Sequence, residues 1–449
     1  MHPLLNALTW DVIFVWTIST IFLSNEKGLS YSNIVFLDSI LMFAGCVLCI
    51  PIQKLFKNVI PKIALRVGLF CYAAFVVLLM VGTNFFTFAF GYVLLAIGYA
   101  IGSIKVNPIL TDSLSELKRD KDYNRVFGKG YSLYYIIECV GAVCITYVYS
   151  WKPYMCFVLS LLMVAIGFIL TFFFKEPKKF QASNLQGEAI AEQTQKPKVV
   201  KSDSYLKVLK SSFFICLLFY AFMLRGVLSI SSSSYKIYLN QLIDKNVIPM
   251  WAFGIMFAAS RLLTAILNKY QFKFNLKFGV RSLLLINVTL VVCFITVGVL
   301  YLISPTSILN LILIVICCCI LCSLRSPNQI FVNNYLRICM PKKNLESAHA
   351  VKTTVEYLGY TILNFTYAGL LSFYNDNLGK VNLTYIAIFA VPLIISVILF
   401  IRVLCKKHAE KFTIIKDEYT KDWGGWFKCL ISFITANKKN EHFARFFKW

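Results

Sequence analysis

The sequence predicts an all-α membrane protein whose twelve transmembrane helices form two pseudo-symmetric six-helix bundles. Three observations predict this fold class: an apolar composition, a series of apolar runs of membrane-spanning length, and a weak internal repeat. Of the 449 residues, 58% are hydrophobic and 15% are charged, whereas soluble domains carry about 25% charged residues. We therefore expect most of the chain to lie in a membrane.

The apolar runs are the primary evidence for the helices. A helix needs about 20 apolar residues to cross the hydrocarbon core of a bilayer. Twelve runs are of about this length, and we place them near residues 5–24, 32–53, 64–82, 84–108, 128–148, 153–174, 211–238, 247–268, 282–303, 306–328, 348–373 and 381–404.

Basic residues follow the even-numbered runs, whereas the other connections are short and poor in charge. Cytoplasmic loops of membrane proteins are enriched in Lys and Arg. We therefore expect both termini in the cytoplasm and the protein in the plasma membrane. The same distribution accounts for the formal net charge of +24 without nucleic-acid binding, since no basic domain exists apart from the runs.

The predicted domain organisation follows from a polar interruption and a distinct tail. We expect an N-terminal bundle over 1–175, a cytoplasmic linker over 176–210, a C-terminal bundle over 211–405 and a cytoplasmic tail over 406–449. In the tail, Trp423, Trp426, Phe427 and Leu430 recur at helical spacing. This spacing predicts an amphipathic helix that lies on the anionic inner leaflet, although partner binding is an alternative.

A faint repeat at an offset of about 215–220 residues relates the two halves, as expected for transporter folds built from internal repeats. Three pairs of segments carry it, each at the same place in its half: KIALR (62–66) with KFGVR (277–281), GSIKVNP (102–108) with CSLRSPN (322–328), and IIECVG (136–141) with TVEYLG (354–359).

Several of these segments resemble motifs of the major facilitator superfamily. Lys277, Gly279 and Arg281 are similar to the family's K/R-x-G-x-R loop after the eighth span. Asp112, followed by Arg125, Phe127 and Gly128, resembles the acidic residue near the end of span four and its Arg-x-Phe-Gly sequel, and Glu176–Pro177 resembles the ending of span six. The loop after span two keeps only the basic residues of the family motif, Lys57, Lys62 and Arg66.

The resemblance implies a secondary active transporter that works by alternating access, with spans one, four, seven and ten lining a central cavity. It also implies a cytoplasmic gate formed by Asp112, Arg125, Lys277 and Arg281. Span four (Gly98–Pro108) resembles a segment of proton-dependent peptide transporters, but the acidic first-span signature of that family is absent.

Charges inside the membrane are candidate functional residues, because an unpaired charge there is costly. Lys105 and Arg325 occupy equivalent positions of the two halves, and so do Glu138 and Glu356. We expect a Lys105–Glu138 ion pair in one half and an Arg325–Glu356 pair in the other. These pairs either only neutralise each other and hold the helices together, or couple proton movement to conformation.

Four further charges lie in the apolar runs: Asp11, Asp38, Arg225 and Arg261. By the resemblance, Asp11, Lys105, Arg225 and Arg325 lie near the solute. Cations outnumber acids among them, which favours an anionic or zwitterionic solute. Arg261 is either embedded or near the cytoplasmic end, where it extends to the surface.

The segment Ser229–Tyr235 (SISSSSY) either hydrogen-bonds the solute or permits close helix packing.

The sequence leaves three functions open. The first is a symporter or antiporter for a small polar solute, with or without coupling to protons, and the second is a proton-driven multidrug exporter. The third, a polytopic enzyme or lipid-linked-sugar handler, is disfavoured by short external loops, so we expect no enzyme and no catalytic residue. Fifteen cysteines without metal spacing and four dispersed histidines predict no metal site. We expect no cofactor, and a monomer whose partners are its solute, protons and lipids.

Overall fold

The computed structural model describes residues 12, 14–56, 59–117, 123–173, 212–278, 281–339 and 345–420. The predicted linker over 176–210, the aromatic tail segment and Asp11 lie outside this range. Within the described range all regular secondary structure is helical.

The helices are numbered by membrane span. They are α1 (Val15–Ile21, continued by a π-helical turn Phe22–Glu26), α2 (Tyr31–Phe56), α3 (Pro61–Val81), α4 (Phe85–Glu116), α5 (Tyr123–Trp151), α6 (Met155–Phe173), α7 (Ser212–Asp244), α8 (Met250–Phe278), α9 (Arg281–Ile303), α10a (Ile308–Ser323), α10b (Arg325–Cys339), α11 (Leu345–Phe373) and α12 (Leu378–Thr420). The last helix therefore continues past residue 405, where we expected the tail to begin.

Ten membrane-spanning segments are long and apolar enough to cross a bilayer within the described part of the chain, α10a and α10b together forming one of them. Of the first predicted span, only residue 12 and the residues from 14 onward are described. Helix α11 has the length, 29 residues, but carries Lys352 and Glu356 in its course. The predicted all-α membrane architecture is confirmed.

The same helix contacts recur in both halves of the molecule. In the first half α1 packs on α5, α2 on α4, α3 on α4 and α3 on α6. The second half repeats each pair six helices later, as α7 on α11, α8 on α10a, α9 on α10a and α9 on α12. The internal repeat in the sequence therefore reflects two similar bundles.

Two antiparallel helix pairs join the bundles, α2 with α11 and α5 with α8. Along the first pair, Ser32 Oγ donates to the carbonyl of Ala368 at 2.8 Å, and the rings of Phe36 and Phe365 lie 4.8 Å apart. Farther along, Gly45 lies against the ring of Tyr357. These contacts extend over residues 32–45 of α2 and 357–368 of α11, so the halves meet over several helical turns.

Helix α10 is divided at Leu324, near the middle of its span. Pro327 has no N–H to bond to the carbonyl of Ser323, which accounts for the division. The first residue of α10b is Arg325, so a charged side chain lies directly after the division.

Candidate functional site

Charged side chains from both halves meet in the protein interior. We call them the central charge cluster: Asp38, Glu138, Arg225, Lys236, Arg261, Arg325, Lys352 and Glu356. They come from α2, α5, α7, α8, α10b and α11. A charge in this environment is stable only when it is paired, hydrogen-bonded or solvated, so the partner of each residue is informative.

Glu138 and Arg261 form an ion pair across the bundle interface. Arg261 Nη2 lies 3.0 Å from Glu138 Oε1, and the guanidinium lies 4.5 Å from the centre of the Phe257 ring. The second carboxylate oxygen of Glu138 has no hydrogen-bond partner among the described residues. The alternative that Arg261 extends to the cytoplasmic surface is wrong, because its side chain is largely buried.

The predicted Lys105–Glu138 pair is wrong. Lys105 Nζ instead donates to the carbonyl of Val59 in the α2–α3 connection at 2.8 Å. The reason is that α5 packs chiefly along α8 rather than along α4. Helices that are neighbours in sequence need not share the face that carries the charge.

The predicted Arg325–Glu356 pair is also wrong. Lys352 Nζ lies 2.8 Å from Glu356 Oε1, and both residues are buried on α11. Residues four apart on a helix lie on the same face, so Glu356 finds its cation one turn away. Among the described carboxylates none lies within ion-pair distance of Arg325.

Asp38 of α2 faces Lys236 of α7, which belongs to the other half. The Asp38 side chain interacts electrostatically with Lys236 and accepts a 3.4 Å hydrogen bond from Ser233 Oγ. Lys236, only 5% exposed, lies 5.2 Å from the centre of the Trp16 ring. The Trp16 indole N–H in turn donates to Tyr99 OH at 2.7 Å.

Sequence reasoning missed Lys236. The predicted span ended at residue 238, which put this lysine at the membrane boundary, but α7 continues to Asp244. The signal in the sequence was the more polar segment 239–244, which directly follows the apolar run and continues the same helix. Extending the helix by two turns moves Lys236 into the interior.

Arg225 of α7 lies against α10b and α11. Its Nη1 donates to Gln329 Oε1 at 3.4 Å, and its guanidinium lies 6.0 Å from the centre of the Tyr360 ring. The buried Nε has no hydrogen-bond partner among the described residues. Arg325 is close enough for its charge to act on Arg225.

The serine-rich segment of α7 makes hydrogen bonds to protein groups, and its predicted role in binding the solute stays a prediction. Ser229 Oγ donates to the carbonyl of Gly226 at 2.6 Å, and Ser234 Oγ donates to Asn382 Oδ1 of α12 at 3.2 Å. These bonds hold α7 in its bundle. Ser233 alone of the segment reaches a described charge of the other half, Asp38.

A polar network closes the halves against each other at the end that carries the α1–α2 and α7–α8 connections, which we call the outer end. Asn240 Nδ2 donates to Tyr31 OH at 2.8 Å and to Asn25 Oδ1 at 3.0 Å. Tyr31 OH donates to Asp244 Oδ2 at 3.1 Å. Asn25 and Tyr31 belong to the first half, and Asn240 and Asp244 to the second. The sequence analysis did not identify this network.

The predicted cytoplasmic gate stays a prediction. The side chains of Asp112, Arg125 and Lys277 lie outside the described part of the structure, as does Asp11. Arg281 begins α9 and is exposed.

The comparisons with known proteins agree on one fold. The sequence model of the Major Facilitator Superfamily matches residues 4–364. The crystal structure of the nucleoside transporter NupG aligns with a TM-score of 0.67 at 14% identity and covers 90% of this chain and 98% of NupG.

A POT family transporter in complex with a thioalcohol conjugated peptide aligns with a TM-score of 0.65 at 13% identity, covering 90% of this chain and 94% of that one. At such low identity the structural likeness shows the fold alone. The comparison with curated proteins found no match.

Proposed function

Since this chain belongs to the Major Facilitator Superfamily, we propose that it is a secondary active transporter that moves a small anionic or zwitterionic solute across the plasma membrane. The observation that carries this proposal is the central charge cluster, buried where the two bundles meet. Intramembrane charges in transporters mark solute and ion pathways.

Alternating access is the mechanism that the bundle interface supports. The contacts across it are polar and specific: Glu138 with Arg261, Asp38 with Ser233, and the outer network around Asn240. When two bundles rock about a central site, such contacts separate and re-form. A charged solute can take the place of an ion-pair partner that a cluster residue loses when the bundles rock. It thereby lowers the free-energy barrier to the conformational change.

The charge balance of the cluster supports an anionic group on the solute. Cations outnumber carboxylates among the described members, and guanidinium groups bind carboxylates and phosphates through paired hydrogen bonds. A cationic drug meets like charge here, so the proposal of solute transport is preferred over multidrug efflux. An excess of buried cations over carboxylates does not by itself call for an enzymatic reaction. We propose a carrier without catalytic residues.

A flux screen in proteoliposomes tests the proposal. Purified protein is reconstituted, and uptake of radiolabelled anionic, zwitterionic and cationic solutes is measured with and without an imposed pH gradient. We expect saturable uptake of an anionic or zwitterionic solute. Arg402→Gln, at an exposed position of α12, is the matched control for any loss seen when cluster residues are changed. Uptake restricted to cations would overturn the proposal.

The pH gradient arm also addresses coupling. We propose that the carboxylates Glu138 and Glu356 take up protons when they separate from their cations. If Glu138→Gln and Glu356→Gln both keep pH-dependent uptake, neither carboxylate couples transport to protons. We further propose that the protein acts as a monomer with both termini in the cytoplasm and the tail on the inner leaflet.

A further inference from the structure

We propose that Arg225 and Arg325 together bind a compact dianionic group of the transported solute, of the phosphate monoester class. This inference rests on the proposed transport function, whose solute it narrows from any anion or zwitterion to a dianion.

Arg225 and Arg325 approach one face of α10b. Arg325 and Gln329 lie four residues apart on this helix and so share a face. Arg225, from α7, donates to Gln329 Oε1 at 3.4 Å. The guanidinium of Arg225 therefore lies one helical turn from the start of the Arg325 side chain, and the two charges act on each other.

The carboxylates of the central charge cluster interact mainly with cations other than Arg225 and Arg325. Arg261 binds Glu138 and Lys352 binds Glu356. Lys236 is beyond ion-pair distance of Asp38, but its charge acts on Asp38 more strongly than that of Arg325 does. Each of the three carboxylates of the cluster is thereby matched by a lysine or arginine other than Arg225 and Arg325.

Glu356 and Asp38 act on these two arginines at longer range. Among the described residues, neither arginine has a carboxylate within ion-pair distance. Two like charges in a low-dielectric interior repel strongly, so the arrangement favours a ligand that carries two negative charges.

The environment of Arg225 is suited to hydrogen bonding an oxyanion. Its buried Nε has no partner among the described residues and is available as a donor. Arg325, the first residue of α10b, supplies a second guanidinium with further N–H donors. A phosphate monoester has nearly two negative charges at neutral pH and three acceptor oxygens, which match the donors and the charge of the site.

Binding of a matched pair of probes tests the inference. Methyl phosphate and methyl sulfate are both tetrahedral, but at neutral pH only methyl phosphate is largely dianionic. Their affinities for the full-length protein in detergent are measured by calorimetry at constant ionic strength. Binding of methyl phosphate at least tenfold tighter than methyl sulfate supports the inference, and equal affinities overturn it. Succinate tests whether the two charges must lie on one group, since its tighter binding would overturn the phosphate assignment.

Variants then locate the probe. Arg225→Gln and Arg325→Gln each remove charge-assisted hydrogen bonds, so we expect methyl phosphate affinity to fall by roughly ten- to a hundredfold and the preference over methyl sulfate to disappear. Arg402→Gln is expected to bind as the unchanged protein does. The conservative variants Arg225→Lys and Arg325→Lys keep the charge and should retain the preference for the dianion. Thermal unfolding of all four arginine variants shows whether a loss of methyl phosphate affinity reflects misfolding.

The flux and binding measurements separate the two proposals. If methyl phosphate binds as expected but no solute is transported in proteoliposomes, the anion site stands and the transport proposal fails. If an anionic solute is transported and both arginine variants still prefer the dianion as before, the transport proposal stands and this site is wrong.

Discussion

The buried charges of this protein are stabilised mostly by single partners. Glu138 has one ion pair and one carboxylate oxygen without a described partner, and Asp38 accepts one long hydrogen bond beside the charge of Lys236. Removing one member of a buried pair leaves the other charged and desolvated, which costs more than removing both. This asymmetry makes the individual residues testable.

Glu138→Gln is expected to lower the free energy of unfolding by about 3–5 kcal/mol, because Arg261 stays buried without its carboxylate. The double variant Glu138→Gln, Arg261→Gln should recover much of this loss. Thermal unfolding in detergent of the single and double variants forms a double-mutant cycle. Additive losses would mean that the two residues do not interact.

Lys236→Met keeps the length of the side chain and removes its charge, which leaves Asp38 uncompensated between the halves. We expect a loss of stability of about 1–3 kcal/mol and a loss of solute flux. Adding Asp38→Asn should restore the unfolding midpoint but not the flux. An unchanged midpoint in Lys236→Met would contradict a stabilising electrostatic interaction between Asp38 and Lys236.

At the scale of the helices, small residues set how closely pairs approach. A Cβ at Gly141 would meet the ring of Phe14, the residue that precedes α1, and a Cβ at Gly359 would meet the backbone of Phe222 on α7. The two glycines end equivalent segments of the internal repeat. Equivalent helix pairs, α1 with α5 and α7 with α11, are thus both packed through a glycine, as in other membrane helix interfaces.

Gly359→Ala is expected to destabilise the protein by about 1–3 kcal/mol, since the added methyl group overpacks the contact with α7. The matched control is Gly369→Ala on the same helix, where the added atom would have nothing within 4 Å. Unfolding midpoints of the two variants provide the comparison. An equal effect of both substitutions would show that the close approach of α7 and α11 is not what Gly359 serves.

At the scale of the whole molecule, the outer end is closed by hydrogen bonds between the halves. Asn240 is the hub, because its Nδ2 lies within hydrogen-bond distance of Asn25, Tyr31 and Asp244. Under the proposed alternating-access mechanism, this network must break when the outer end opens. On that proposal, weakening the network should make the outer end open more often.

Asn240→Ala is expected to speed hydrogen exchange of the backbone around the α1–α2 connection by roughly five- to thirtyfold, the equivalent of one to two lost hydrogen bonds. Mass spectrometry of peptides that cover residues 24–31 measures this change. Asn310→Ala is the control, because Asn310 Nδ2 donates to the carbonyl of Ser304 within a single half. Equal hydrogen exchange rates of residues 24–31 in both variants would show that Asn240 does not hold the two halves together at the outer end.

The sequence by itself determined the membrane class, the course of the spans and the two-fold repeat, because hydropathy and spacing act locally along the chain. It also identified Glu138, Glu356, Arg225 and Arg325 as embedded charges, since their neighbours are apolar.

The tertiary structure decided the partners. A shift of one residue turns a helical side chain by about 100°, and the faces in contact depend on helices distant in sequence. Glu138 therefore pairs with Arg261 of α8, not with Lys105 of α4. Lys236 lies in the protein interior because α7 extends beyond the apolar run that predicted it.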